Sequence, residues 1–120
     1  MPTTRTNLGK HAESLAAEYA ETLGLKVLTR NYRRRNGEID IIAVDGETIV
    51  FIEVRSHSSD AFGSPAESIT KSKIRKLVAA AEEYIAENNC AESPCRFDCI
   101  EVLFKNGLFE CIRHIPNITG

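Results

Sequence analysis

The chain lacks tryptophan, and only 7% of its 120 residues are aromatic. It also lacks an excess of positive charge, because 15 Lys and Arg stand against 17 Asp and Glu, for a formal net charge of −2. A strongly basic nucleic-acid-binding protein is therefore excluded, and any such site must rest on a local cluster of cations. The length fits one domain with one hydrophobic core, which we expect to cover residues 1–120.

Long apolar runs are missing as well. No stretch of the sequence is long enough to cross a bilayer, and the opening "MPTTRTNLGK" lacks the apolar segment of a signal peptide. These absences predict a soluble cytoplasmic protein with no membrane partner.

Cysteine is absent from the first two thirds of the chain. Without a secretion signal, disulfides are not expected. The spacing of the first three cysteines does not match the paired knuckles of zinc sites, and no histidine lies within that run. Reduced structural thiols are therefore favoured over a zinc site. The four cysteines are Cys90, Cys95, Cys99 and Cys111.

Hydrophobic periodicity predicts helices and strands in the order α-β-β-β-α-β-β, a mixed α/β layer arrangement. Turn residues separate the segments, among them the "DG" and "NG" pairs that favour tight hairpins. The predicted segments are a helix over 8–23, strands over 25–32, 38–44 and 47–55, a helix from about Pro65 to Glu87, and strands in "CRFDCIEVLF" and "GLFECIRHI".

The central stretch "GEIDIIAVDGETIVFIEVRS" predicts a hairpin with carboxylates where apolar strands are expected. A two-residue turn at 45–46 would place Asp40 opposite Phe51 and Glu38 opposite Glu53. Side chains two residues apart share a face of a strand. Asp40 and Glu53 would then be diagonal neighbours, within reach of one shared ion.

Three acids on one face raise each other's pKa unless a cation intervenes. Arg55 is one candidate, and Mg²⁺ or Mn²⁺ is another, since these ions suit oxygen-rich sites. A solvated acidic surface is the alternative. The same face also carries Ile42, Ile49 and Phe51, which favours a half-covered cleft. The other face is expected to pack on the core: Ile39, Ile41, Ala43, Val50, Ile52 and Val54.

Three segments in order, "NYRRRNGEIDIIAVDGETIVFIEVRS", "FGSPAESITKSKIRKLVAAAEEYI" and "RFDCIEV", resemble the YraN-like uncharacterised proteins. These are relatives of the Holliday-junction resolvases within the PD-(D/E)XK nuclease superfamily. The resemblance covers most of the chain. It implies a restriction-endonuclease-like α/β fold, with a central mixed β-sheet flanked by helices and an active site on the hairpin.

The resemblance also implies roles for individual acids. Asp40 matches the aspartate and Glu53 the glutamate that bind magnesium and activate water in that superfamily. Glu18, on the rim of the first helix's apolar stripe, matches an auxiliary metal-binding acid. Glu38 belongs to the G-E-I-D signature and supports the site.

At residue 55 the sequence departs from the family, which usually has lysine there. Arginine stays protonated at any relevant pH, so Arg55 can clamp a phosphate or stabilise transition-state charge but cannot accept a proton. Lys71 or Lys73 on the second helix is an alternative source of that function. For His57, two residues further on, a loop position without a partner is favoured over a contact to a phosphate or a metal-bound water.

Two basic clusters adjoin the expected cleft and are expected to contact a phosphate backbone, with solvated surface charge as the alternative. The resemblance favours binding, with DNA as the partner. It also suggests a homodimer, since related nucleases that cut both strands often act as dimers. The predicted nucleic-acid-binding residues are Arg33, Arg34, Arg35, Lys71 and Lys73.

The sequence thus predicts a nucleic-acid-binding protein with a metal-dependent phosphodiesterase site, a Mg²⁺-dependent endodeoxyribonuclease that is atypical at Arg55. The alternative is a non-catalytic nucleic-acid-binding or protein-interaction module that retains the same fold.

Overall fold

Two helices and five strands make up residues 5–58 and 69–119, the part of the chain that the computed structural model describes. The predicted order of helices and strands is confirmed. No helix in these two ranges is long and apolar enough to span a bilayer. The elements are α1 (Arg5–Thr22), β1 (Lys26–Arg34), β2 (Gly37–Asp45), β3 (Thr48–His57), α2 (Lys71–Glu87), β4 (Cys95–Lys105) and β5 (Leu108–Ile115).

The strands form one open mixed sheet in the order β1-β2-β3-β4-β5. Neighbouring strands are antiparallel except β3 and β4, which are parallel. Parallel neighbours need a crossover connection, and the chain between β3 and β4 contains α2. The predicted mixed α/β architecture is confirmed at this level.

Helix α1 packs through small residues. Ala12, Ala16 and Ala20 are at most 1% exposed and recur every four residues, so they form one stripe along the helix. Ala16 and Ala20 share a core cluster with apolar side chains of the sheet: Leu25, Ile41, Ala43, Val50, Ile52 and Ile100.

Helix α2 packs on a second cluster, which contains Phe51 and Leu77. The helix begins at Lys71, because the Thr70 hydroxyl accepts a hydrogen bond from the Lys73 N–H at 3.1 Å and caps the first turn. The predicted start at about Pro65 is therefore wrong, and Pro65 itself lies outside the described residues.

Strand β2 starts very close to α2. A Cβ atom built on Gly37 would lie 2.0 Å from the carbonyl oxygen of Lys76. Only a residue without a side chain lets the two backbones approach this closely.

We expect Gly37→Ala to lower the free energy of unfolding by about 1–3 kcal/mol, because the added methyl group forces β2 and α2 apart. Gly9→Ala is the matched control. Nothing lies within 4 Å of its added Cβ, and alanine in a helix interior stabilises by up to about 1 kcal/mol. Urea denaturation of both variants measures the two effects, and equal stability of Gly37→Ala and the wild type would contradict the close approach.

Candidate functional site

The β2–β3 hairpin turns at Gly46 and Glu47, one residue later than predicted. Gly46 has a φ of +60°, and a two-residue turn with glycine in first position uses this conformation. Asp45 consequently pairs with Thr48, and Ile42 pairs with Phe51.

The predicted pairs Asp40–Phe51 and Glu38–Glu53 are therefore wrong by two residues. A shift of two keeps every β3 side chain on its predicted face, because the strand period is two. The shift separates Glu38 from Glu53, but it brings Asp40 to the position across from Glu53, one step beyond the last paired residues Ile41 and Ile52. Glu38 instead pairs with Arg33 on β1, whose Nε lies 3.3 Å from Glu38 Oε2.

The alternation of β2 is interrupted at Asp40. Ile39 packs with the α2 cluster and Ile41 with the α1 cluster, although residues two apart in a regular strand share a face. On β1 the same level is occupied by Asn31, whose φ is +55°, the left-handed conformation that asparagine tolerates. The prediction that Ile39 shares a face with Ile41 is wrong for this reason.

The backbone pairing of β2 with β3 ends at Ile41 and Ile52. Beyond that point Asp40 Oδ2 accepts a hydrogen bond from the Val54 N–H at 2.8 Å. A carboxylate thus takes the place of a backbone carbonyl where the two strands separate. We call this point the β2–β3 fork.

Asp40 and Glu53 are both largely buried at the fork. The pKa of Asp40 is raised to about 7. Burial is the larger cause, and the negative charge of Glu53 is the second. Burial also raises the pKa of Glu53, whereas the positive charges of Lys73 and then Arg55 act to lower it. Arg55 Nη1 lies 3.9 Å from Glu53 Oε1. The structure therefore brings together three residues from the hairpin and one from α2.

On α1 the acid that faces the fork is Glu13. Its negative charge raises the pKa of both Asp40 and Glu53, and its Oε1 is buried without a hydrogen-bond partner among the described residues. Glu18 is exposed. At about 100° per residue, Glu13 lies about 60° from the centre of the buried alanine stripe, and Glu18 lies about 160° from it. The structure does not place Glu18 with the other acids.

Periodicity alone did not separate these two glutamates. The apolar stripe predicted from the sequence includes Leu23, which is 42% exposed, and omits Ala20, which is fully buried. Its members are Leu8, Ala12, Leu15, Ala16, Tyr19 and Leu23. Around the helix axis, Glu13 and Glu18 each lie about 110° from the centre of that stripe, one on either side. A stripe drawn through the alanines would have selected Glu13. We use "acid site" below for Glu13, Asp40 and Glu53.

No three His, Cys, Asp or Glu side chains within the described ranges converge into a ready-made set of metal ligands. Asp40 and Glu53 are nevertheless a pair of carboxylates, and Mg²⁺ is commonly held by one or two carboxylates with several waters. The raised pKa values and the unpartnered Glu13 oxygen are features that a nearby cation would relieve. The donor set fits a hard divalent ion.

The predicted basic residues have different surroundings. Arg34 makes two 2.8 Å hydrogen bonds to the Glu87 carboxylate, and its guanidinium lies 4.0 Å from the centre of the Tyr32 ring. Arg34 therefore ties β1 to the end of α2. Arg35 is exposed in the β1–β2 turn, where it borders a cleft with Lys76. Lys71 and Lys73 are exposed in the first turn of α2.

A second polar network lies beside Arg55. In the register of β3 and β4, Arg55 is the strand neighbour of Glu101. Glu101 is fully buried, with Oε2 2.6 Å from His57 Nε2 and Oε1 2.7 Å from Arg113 Nε. The expectation of a partnerless loop histidine is wrong, because His57 ends β3 and meets this acid. The signal for Glu101 was an acid inside the apolar run "CIEVLF".

Asp98 is the other fully buried acid of β4. Arg96, two residues earlier on the same strand, reaches it with Nε at 3.1 Å, and His114 Nε2 lies 2.7 Å away. Cys99, next to Asp98, has its pKa raised to about 12 by burial, which marks an unreactive thiol. All four cysteines are free.

The fold and site define a mixed α/β protein with a five-stranded open sheet and a partly buried pair of carboxylates on its central hairpin. Residues 12–102 match the model of the family described as "Uncharacterised protein family UPF0102". The chain belongs to this family, which confirms the YraN-like part of the resemblance.

Relatives from distant bacteria support this assignment. A UPF0102 protein of Hahella chejuensis is 48% identical over 94 residues, which are 78% of this chain and 76% of that protein. One from Geobacter metallireducens is 43% identical over 111 residues, covering 92% and 90% of the two chains. One from Sulfurihydrogenibium sp. is 48% identical over 96 residues, covering 80% and 84%. The family description assigns no activity, so function must be inferred from the site.

The raised pKa of Asp40 has a consequence for stability. Between its ordinary value of 3.8 and about 7, the folded state binds more protons at Asp40 than the unfolded state, so this group makes stability fall as the pH rises through that window. Asp40→Asn removes the buried charge and can keep the hydrogen bond from Val54. We expect the variant to be about 1–3 kcal/mol more stable than the wild type near pH 8, with the difference vanishing near pH 4.

Urea denaturation in metal-free buffer across this pH range measures the difference. Glu47→Gln, in the exposed turn of the same hairpin, is the control and should change stability by less than about 0.5 kcal/mol at every pH. An Asp40→Asn variant that is less stable than the wild type near pH 8 would contradict the buried-charge assignment.

Proposed function

We propose that the protein is a metal-dependent phosphodiesterase of the endonuclease type that acts on DNA. The observation that carries this proposal is the joint burial of Asp40 and Glu53 at the β2–β3 fork. Two adjacent carboxylates with raised pKa values are an unfavourable arrangement for stability alone, and they are typical of sites that bind a cation.

The mixed sheet, the position of both acids on its central hairpin and the resemblance to resolvase relatives support a place in the PD-(D/E)XK superfamily with a restriction-endonuclease-like fold. Asp40, Glu53 and Glu13 would hold Mg²⁺ or Mn²⁺. Glu13 takes the part first given to Glu18. When bound, such an ion neutralises charge on the phosphate and lowers the pKa of a water.

Arg55 lies beside Glu53 and is permanently charged, so it is suited to hold the phosphate and stabilise the charge that develops on it. It cannot exchange a proton. Lys73 carries an ammonium group, which unlike a guanidinium can exchange a proton. Its effect on Glu53 is larger than that of Arg55. We infer that Lys73, whose backbone N–H is held by the Thr70 cap, supplies the function of the missing strand lysine.

The rival function is a non-catalytic nucleic-acid-binding or interaction module. Arginine at position 55 favours it, since the usual lysine is absent from the hairpin. Exposed cations near the site serve either function by contacting phosphates, and they are Arg33, Arg35, Lys71 and Lys73. Arg34 contributes less, because Glu87 already neutralises it.

Isothermal titration calorimetry with Mn²⁺ tests the acid site. We expect Glu13→Gln and Asp40→Asn to weaken metal binding at least about tenfold, because each removes a negative charge or a ligand next to the ion. Glu18→Gln is the matched control, with the same substitution in the same helix on the opposite side, and it should bind as the wild type does. An equal effect of Glu13→Gln and Glu18→Gln would show that α1 does not contribute through Glu13.

Cleavage of labelled duplex, single-stranded and branched DNA in Mn²⁺ tests the role of Lys73. Lys73→Gln should slow cleavage by about 10²–10⁴-fold, because it removes the proton-exchanging group assigned to the site. Lys71→Gln, with the same charge change two residues earlier, should stay within a few-fold of the wild type. Unchanged cleavage by Lys73→Gln contradicts the lysine assignment, and a wild type that cleaves none of the three substrates supports the rival function.

A further inference from the structure

A groove runs between α1 and β1 and opens beside the acid site. Its lining residues come from the first half of the helix and the second half of the strand: Lys10, Glu13, Ser14, Arg30, Asn31 and Arg33. Glu13 belongs to both features, because it lines the groove and its charge acts on Asp40. The groove is therefore continuous with the acid site.

The groove is built from groups that contact phosphates. Lys10, Arg30 and Arg33 are exposed cations, and Ser14 and Asn31 add neutral hydrogen-bonding side chains. Such side chains supply the bulk of contacts to a DNA backbone. Arg30 Nη2 lies 3.3 Å from Ser14 Oγ, which holds the guanidinium across the groove.

None of the lining residues within the described part of the chain is aromatic. Proteins that bind single strands stack the bases on aromatic rings, so this groove lacks the usual platform for unpaired bases. In a duplex the bases are stacked on each other and the backbone is presented outward. The lining therefore fits the backbone of a duplex better than a single strand.

We propose that the α1–β1 groove binds the phosphodiester backbone of duplex DNA and guides one strand toward the acid site. This inference rests on the proposed function and adds the form of the substrate and its path. Glu13 is the one acid among the lining residues that the structure describes, and its charge opposes a phosphate until a cation covers the acid site. Duplex affinity should consequently rise when a divalent ion is present.

Fluorescence anisotropy with a short labelled duplex, titrated with salt, tests the groove. Lys10→Ala/Arg30→Ala should weaken binding and reduce the slope of log K against log salt by about two, since each lost phosphate contact removes about 0.9. Lys26→Ala/Lys105→Ala removes two exposed cations away from the groove and leaves the same net charge. This control should keep the wild-type slope.

Two further variants are measured in the same assay. Glu13→Gln should raise duplex affinity in EDTA, because it removes the opposing charge. Lys10→Ala alone leaves the Arg30–Ser14 contact intact and should reduce the slope by about one. A reduced slope in this single variant cannot be attributed to a folding defect caused by loss of that contact.

Equal slopes for the groove and control variants would overturn the inference, as would absence of duplex binding by the wild type. A single strand of the same sequence that binds as tightly as the duplex would also overturn it. Groove-dependent binding by a protein that never cleaves DNA would reject the proposed catalysis and leave the groove assignment standing.

Discussion

The hydrogen bond from the Val54 N–H to the Asp40 carboxylate is the contact on which the site depends. It forms where the β2–β3 ladder ends, so it sets how far the strands stay together and where Asp40 points. A backbone carbonyl at this place would simply extend the sheet. A carboxylate ends the ladder and places a negative charge at the opening between the strands, next to Glu53.

The surrounding structure is arranged around this opening. The change of faces between Ile39 and Ile41, together with the left-handed Asn31 on β1, turns the start of β2 toward α2. The alanine stripe brings α1 close enough for Glu13 to influence both hairpin acids. The Thr70 cap starts α2 so that Lys73 falls in its first turn. Each element contributes at least one charged group, and none of them forms the site alone.

Sequence reasoning predicted the order of elements and the pairing of Asp40 with Glu53 as neighbours, because alternation in the hairpin is strong and a register error of two preserves it. The turn position was missed because Gly46 fits a two-residue turn as its first or its second residue. Glu13 was missed because two glutamates were equally distant from the apolar stripe. His57 and Glu101 are 44 residues apart, and periodicity carries no information about partners at that separation. Local patterns therefore fixed the scaffold, while three-dimensional packing selected among equivalent acids.

The acid site draws its groups from α1, β2 and β3, with Lys73 added from the crossover helix α2. In the unfolded chain these groups are far apart, so an ion has no comparable binding site. Any divalent ion that occupies the site thus favours the native state by mass action, in proportion to the logarithm of its concentration above the dissociation constant. The concentration of the ion and the fraction of folded protein are then linked. The repulsion among the carboxylates sets how strongly the folded fraction responds to the ion.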